Sequence, residues 1–422
     1  MHESDVLVAG GGPAGTATAT FLAREGVHVT LIDRARFPRT KPCAEYLSPQ
    51  AGRVLHALGV LPDVIRQALP LTGMEVRAPS GARIIGDFGA VRAFHPFHPH
   101  GLAIPRLELD DLLLRNARHA GVEVIEEERI TELVRDRLGT VCGVRSLGIG
   151  GTERVRRARV VIGADGLRSV VARRARLARR ASWPRRVAFV AHYRGVTGVG
   201  ARGEMLVEKD GYMGLAAVAD GRFNVSLVVE QRLIASTAGA ESHDRGARFL
   251  DDWIARHPHI AARFHDAERL THVLSTGPFA VRARRAWAPG VALVGDAADF
   301  FDPFTGEGMY SAMLGGEALA HHALRALRAD QGALARYDRW RRAEFGAKWR
   351  VEWIIAMAVA NPWLLERAAR GFAARPQLAH LLVGVTGDFV PARAVLRVGY
   401  IAQLFLAAFA RPPVALGEIS NA

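Results

Sequence analysis

Cysteine is almost absent from this 422-residue chain. Two residues, Cys43 and Cys142, cannot make a disulfide framework or a four-cysteine metal site. Lysine is nearly as scarce: only Lys41, Lys209 and Lys348 occur, so 53 of the 56 cationic side chains are arginine. The formal net charge of +14 would suit a polyanionic partner. A bias confined so nearly to arginine reads instead as a coding habit that leaves a solvated basic surface, and no specific nucleic-acid partner is expected. Long apolar runs are missing as well. The longest late one, Val398 to Ala410, is 13 residues and contains Gln403, whereas a membrane-spanning helix needs about 20. The opening Met1-His-Glu-Ser-Asp5 has no basic, apolar leader. The chain is expected in the cytoplasm, touching a membrane at most peripherally.

What is present is ordinary globular material. Apolar residues make up 49% and charged residues 23%, enough for a large core, and the length suits two packed domains. Asp5–Ala9 reads as a buried strand, Thr16–Glu25 as a helix ended by Gly26, and His28–Asp33 as the next strand, one βαβ unit. Short β-like pieces fill 74–104, and Arg106–Ala120 reads as a helix before a strand at Val122–Ile125. Strand patterns continue at 129–135, 140–146 and 154–162. About 90 residues of mostly period-two patterning follow, including 186–195, 204–218 and 222–230. Trp287–Val294 reads as a buried strand and Gly306–Ala329 as a long helix. Residues 333–410 read as helical, broken at Pro362, Pro376 and Pro391.

The chemistry is concentrated in a few segments. Gly10-Gly11-Gly12-Pro13-Ala14-Gly15 matches G-x-G-x-x-G between a strand and a helix, with Asp33 and Arg34 ending the second strand. Gly10 permits a tight turn, Gly12 lets backbone approach a pyrophosphate, and Gly15 lets helix and strand pack closely. The helix N-terminus offers free N–H groups to phosphate, and Asp33 can accept from a ribose hydroxyl. A second match, Gly198-Val-Gly200-Ala-Arg-Gly203, precedes a strand pattern and reads as a loop, so no second dinucleotide domain is expected. Val160-Val-Ile-Gly-Ala-Asp165-Gly166 ends another strand in a turn. Gly290-Val-Ala-Leu-Val-Gly-Asp296 ends a third, and Asp302-Pro-Phe-Thr-Gly306-Glu-Gly308-Met309 leads into the long helix.

Together these three segments resemble the FAD-dependent oxidoreductases of the aromatic-hydroxylase and geranylgeranyl-reductase superfamily, over nearly the whole chain. The resemblance implies an α/β fold: a Rossmann-like FAD-binding domain (1–72, 101–178 and 280–330), an inserted β-rich substrate domain (73–100 and 179–279) and a helical C-terminal region (331–422). It also implies cofactor contacts. Asp33 stands at the adenosine ribose, Arg106 reaches the flavin, and Asp165-Gly166 is the turn associated with FAD and nicotinamide. Asp296 lies at the ribityl chain and pyrophosphate, and Gly306, Gly308 and Met309 at the isoalloxazine, where a helix N-terminus would steady negative charge on reduced flavin.

Lys41-Pro-Cys43 points to the reductase-like branch, although Ala44 replaces its usual glycine. The aromatic tyrosine-tryptophan-phenylalanine-proline wall of that branch is replaced by Gly211-Tyr212-Met213-Gly-Leu-Ala-Ala-Val218, and only Tyr212 remains. The tryptophan motif of flavin halogenases is absent, since Trp349, Trp353 and Trp363 sit in the helical tail without it. Cys43 suits either a flavin or substrate contact or simple packing. His95, His98 and His100 alternate with prolines and read as loop or pocket-wall residues, leaving no metal site. Arg393 and Arg397 precede an apolar run that suits an interfacial helix or a domain cap.

Three functions stay open. The favoured one is a monooxygenase: NAD(P)H, as a transient co-substrate, reduces FAD, and one atom of O2 goes to an electron-rich ring of an apolar polyketide- or lipid-like molecule. The alternatives are alkene saturation by reduced flavin and a flavin-loaded binding or escort protein. Val187–Tyr193 and Tyr212–Val218 are expected to wall one flavin face, and Trp353, Ile354, Ile355, Met357 and Trp363 to close the pocket or receive a long aliphatic chain.

Overall fold

A computed structural model describes residues 3–179, 181–234 and 245–409. At its centre, five parallel strands carry the apolar runs that sheets covered on both faces require. Ser4–Ala9 lies between Val29–Ile32 and Glu153–Gly163, with Glu123–Ile125 beyond the first and Val291–Leu293 beyond the second as a fifth. Val6, Leu7 and Val8 are fully buried. The strand Glu153–Gly163 outruns the layer, and its first half pairs antiparallel with Val141–Leu147, which pairs in turn with Arg129–Arg135. The helices Pro13–Arg24, Arg106–His119 and Gly308–Leu327 pack against this layer.

A second sheet runs in the order Glu268–Arg269, Arg186–Arg194, Arg222–Glu230, Gly211–Val218, Gly203–Glu208, Gly73–Arg77, Arg83–Asp87. Every pairing is antiparallel except Gly203–Glu208 with Gly73–Arg77. Alternation gives its two faces different jobs. Phe189, Met213 and Leu227 pack with Phe249, Leu250 and Trp253 of the helix Arg245–Ala255. On the opposite face, Ala188, Val190, Met205, Tyr212 and Val228 join a core shared with the C-terminal helices. Those helices are Ala333–Val359, Pro362–Ala374, Pro376–Thr386 and Val398–Phe409. Among the described residues no helix is long and apolar enough to cross a membrane.

Several sequence expectations need correction. The first helix begins at Pro13, not Thr16, because proline's fixed φ and missing N–H suit the first helical position. The run 204–218 is a hairpin, split by Lys209-Asp210 between Gly203–Glu208 and Gly211–Val218. Trp287–Val294 is two short antiparallel strands, Trp287–Ala288 and Val291–Leu293, turned by Gly290 at φ +74. The long helix starts at Gly308 and ends at Leu327. Helix does not continue through 387–397, which holds one short turn at Ala392–Ala394. The helices not anticipated include Ala51–Ala57, Leu61–Gln67 and Arg245–Ala255, besides short ones at Val170–Arg174, Gln231–Ile234 and Pro258–Ala261. Ala410 lies outside the described residues.

Candidate active site

The glycine turn is where the site begins. Gly10 has φ +105, and a Cβ there would meet the Ala164 carbonyl oxygen at 2.5 Å. A Cβ on Gly15 would lie 1.9 Å from the Gly10 oxygen. Gly12 differs, because the nearest atoms to an added Cβ are guanidinium nitrogens, of Arg39 at 3.7 Å and Arg106 at 3.9 Å. The space over Gly12 is thus free of backbone and faced by cations. Gly12 also sits at the start of the helix Pro13–Arg24, which has no side-chain cap and no acidic residue in its first turn. Its leading N–H groups and the positive end of its dipole remain available to an anion.

A second uncapped N-terminus meets the first. Gly308–Leu327 also lacks a side-chain cap bond and an acidic first turn. Small residues let the two helices cross closely: a Cβ on Gly316 would come within 2.9 Å of the Ala14 oxygen and the Thr18 hydroxyl. Gly12, Pro13, Ala14, Gly308 and Met309 therefore line one cavity of about 190 Å³. Lys41, Cys43, Arg106, Gly166, Asp296 and Gly306 line it too. Gly306 has φ +71 and lies against Tyr46, whose ring an added Cβ would meet at 2.6 Å.

The charges are arranged around that cradle. Arg106 is buried and forks to both Asp110 oxygens at 2.8 and 2.7 Å, while Arg39 reaches Asp110 at 2.9 Å. Burial opposes the charge on Arg106, but Asp110 and then Cys43 more than offset it, so its pKa is raised. Lys41 lies 4.0 Å from Asp296. Burial, and then the Arg106 charge, lower its pKa. Three cations beside two free helix ends form a site for a doubly anionic group, which is what the pyrophosphate of FAD presents. The residues present fit that cofactor.

Other proposed contacts stand differently. Asp33 accepts from Gly11 N–H at 2.7 Å and Ala35 N–H at 2.8 Å, so each carboxylate oxygen already holds one donor. Arg34 beside it is exposed. Asp165 turns away from the cavity to cap the helix Val170–Arg174, accepting from the Ser169 hydroxyl at 2.5 Å and Val170 N–H at 2.6 Å. Burial raises its pKa. Only Gly166, at φ +75 with Lys41 Nζ 3.6 Å from an added Cβ, represents that turn in the lining. His98 and His100 bond to each other's loop, His98 Nδ1 lying 2.8 Å from the His100 carbonyl oxygen. Gly198–Gly203 is loop running into a strand.

The far wall comes from the second sheet. Ala188, Val190, Met205, Tyr212, Gly214 and Val228 line the cavity, closed from the other side by Phe279, Phe300 and Phe304. Two polar networks interrupt it. Tyr212 donates to Asp302 Oδ1 at 2.6 Å, and Asp302 Oδ2 accepts from buried Arg186 at 2.8 Å. Burial, and then the Asp302 charge, hold the Tyr212 pKa well above the usual phenol value. Glu45, buried at φ +59, accepts from Arg106 N–H at 3.0 Å and Asn224 Nδ2 at 3.0 Å, with His192 Nε2 at 2.7 Å. Ser226 donates to Asn224 at 2.7 Å. Cys43 Sγ accepts from Glu45 N–H at 3.3 Å, beside Arg106.

Sequence reasoning missed Arg39, Glu45, Asp110, Arg186, His192 and Asp302. Glu45 and Asp302 lay inside or next to quoted segments and gave a local signal. Arg186 gave none. The tryptophan-bearing tail does not close this cavity as expected. Trp353 and Ile354 instead line a second cavity of about 890 Å³, between the long helix Ala333–Val359 and the turn at 295–312. Met357 and Trp363 are exposed, and Ile355 packs in the core. The larger cavity lies off the glycine turn but shares Asp296, Phe300, Pro303, Gly308 and Ala312 with the smaller one.

A family model described as FAD binding domain matches residues 3–349. The chain belongs to that family. It is 30% identical over 359 residues to digeranylgeranylglycerophospholipid reductase 2 of Methanopyrus kandleri, covering 82% of this chain and 83% of the relative. It is 36% identical over 199 residues to menaquinone reductase of Mycobacterium tuberculosis, a match spanning 46% of this chain and 44% of the other. A flavoprotein/dehydrogenase from Cytophaga hutchinsonii shares its fold, with a TM-score of 0.81, 22% identity, and 96% and 97% of the two chains covered. The FAD-binding family member is accordingly an FAD-dependent oxidoreductase with a mixed α/β architecture and C-terminal helices.

Proposed function

We propose that this oxidoreductase is a monooxygenase that hydroxylates an apolar, ring-bearing molecule of polyketide or lipid type, with NAD(P)H as reductant. The protein binds and shields; bound FAD supplies the redox chemistry. The balance is one ring C–H, O2, NAD(P)H and a proton in, and one ring C–OH, NAD(P)+ and water out.

The observation that carries this reading is the state of Tyr212. Its proton is committed to Asp302 Oδ1, while the other Asp302 oxygen accepts from Arg186. Its hydroxyl oxygen has lone pairs left to offer and no proton to spare. Such a group accepts from a substrate donor, as a phenol is, and polarises it; it does not protonate a carbon. The surrounding wall of Ala188, Val190, Gly214 and Val228 is small and apolar, so a flat ring is held by desolvation and oriented by few polar contacts.

A second reading, alkene saturation, rests on Cys43 beside Arg106 at the cavity edge and on the reductase named above at 30% identity. Turnover of phenolic lipids under labelled O2, and of prenylated lipids without O2, separates the two. Product that gains one labelled oxygen is expected, with Tyr212→Phe lowering kcat/KM roughly ten- to hundredfold, the range for losing one buried hydrogen-bond partner. A product that gains two hydrogens and no oxygen would transfer the assignment to the reductase.

A further inference from the structure

The C-terminal helices carry a surface that no FAD chemistry explains. Ten of the sixteen exposed large apolar side chains among the described residues fall within 353–409. The helix Val398–Phe409 is apolar nearly all round, and only three of its twelve residues are buried. Tyr400, Ala407 and Ala408 face inward, and Leu404 packs over Gly371 of the helix Pro362–Ala374. Ile401, Phe405 and Leu406 face outward and are 50%, 60% and 64% exposed. The outward side chains form one patch: Phe405 and Phe409 rings lie 4.6 Å apart, and Trp363 is 6.2 Å from Phe409. Contiguous exposed apolar patches of this kind mark interaction sites.

We propose that the face built by Pro362–Ala374 and Val398–Phe409 is a docking surface for an anionic phospholipid bilayer. Charge selects this occupant. The Arg367 guanidinium lies over both Phe409, at 4.9 Å, and Trp363, at 5.7 Å. Arg370, Arg393 and Arg397 are exposed nearby in sequence. No acidic residue occurs from Phe389 to Phe409. Glu366, the one acid in Pro362–Ala374, is tied to Ser80 N–H at 2.9 Å and to the Ser80 hydroxyl. A second copy of the chain would set these arginines against one another, whereas anionic headgroups complement them. Twelve residues cannot span a bilayer but suffice to lie in its interface with one face buried.

The consequence reaches the catalytic half. Trp353 and Ile354 are 51% and 47% exposed and also line the 890 Å³ cavity, so they form its rim. Docking by the neighbouring helices sets that mouth close to the lipid, on the far side of the turn at 295–312 from the flavin cradle. The inference is independent of which reaction the flavin performs.

Flotation of the FAD-loaded full chain with vesicles tests it. Vesicles of phosphatidylcholine containing about one-third phosphatidylglycerol should carry the protein up, and phosphatidylcholine alone at least about tenfold less. Ile401→Ser, Phe405→Ser and Leu406→Ser combined should abolish flotation while flavin absorbance is retained, since all three side chains are exposed. Arg393→Glu with Arg397→Glu should weaken it by about thirtyfold or more, the factor for about 1 kcal/mol at each of two cations. No flotation with anionic vesicles, or flotation unchanged in both variants, overturns the proposal. So does a concentration-dependent dimer of the wild type, lost in the serine variant, without any vesicle binding.

Discussion

Two glycines three residues apart have opposite reasons to be glycine. Gly15 is closed off by backbone, with the Gly10 oxygen 1.9 Å from any added Cβ. Gly12 is open and faces only the tips of Arg39 and Arg106. The first is a folding constraint; the second leaves open space faced by two cations, and its expected role is binding. Gly12→Val should therefore fold, with a far-UV circular dichroism spectrum like wild type, and purify without flavin. Gly15→Val should give little soluble protein, because no flexible side chain can yield to it. Equal flavin content in wild type and Gly12→Val would show that the phosphate path does not pass over Gly12. Both glycines stand out in the sequence because the motif is local. Asp302 shows the limit. Its partners Tyr212 and Arg186 are 90 and 116 residues away, and no periodicity reports a contact across that distance. Asp165 shows the converse: its place in a recognised turn is real, yet its carboxylate is spent on capping a helix.

At the scale of elements, the βαβ unit was readable because strand, turn and helix are each specified within about thirty residues. The helix Arg245–Ala255 was not, since it interrupts a long stretch of period-two pattern and packs on the hidden face of that same sheet. The long helix Ala333–Val359 was legible as a helix, but not what it encloses. Glu352 on it lines the larger cavity, and its pKa is pushed up to about 8 by burial, then by Glu307 and Asp302, against the opposing pull of Lys348 and Arg282. The folded protein thus holds this proton more tightly than an unfolded chain, whose glutamates titrate near about 4.3. Stability attributable to Glu352 is complete below that lower value and declines as pH rises toward about 8. Glu352→Gln removes the decline. The variant should melt at the same temperature as wild type near pH 4.5 and a few degrees higher near pH 8, measured by differential scanning calorimetry. Parallel melting profiles across that range would mean that Glu352 ionises freely.

For the molecule as a whole, the flavin cradle is the place where three bodies of structure meet. The helices Pro13–Arg24 and Gly308–Leu327 supply free N-termini from the central layer. The second sheet supplies Ala188, Val190 and Tyr212, and the segment 41–46 between them supplies Lys41, Cys43 and Glu45. A ligand that touches all three and binds only the folded chain adds its binding free energy to the stability of the whole. At a free FAD concentration about 100-fold above Kd the gain is about 2.7 kcal/mol, and each further tenfold adds about 1.4 kcal/mol. The melting temperature of the wild type should therefore climb steadily with added FAD beyond full occupancy, while that of Gly12→Val stays flat. The two traces should meet when the wild type is stripped of flavin, because the open space at Gly12 gives the substitution no other route to act on stability. A wild-type melting temperature indifferent to FAD would mean that the folded chain does not bind it. A Gly12→Val protein less stable than stripped wild type would mean that the turn was already filled by protein.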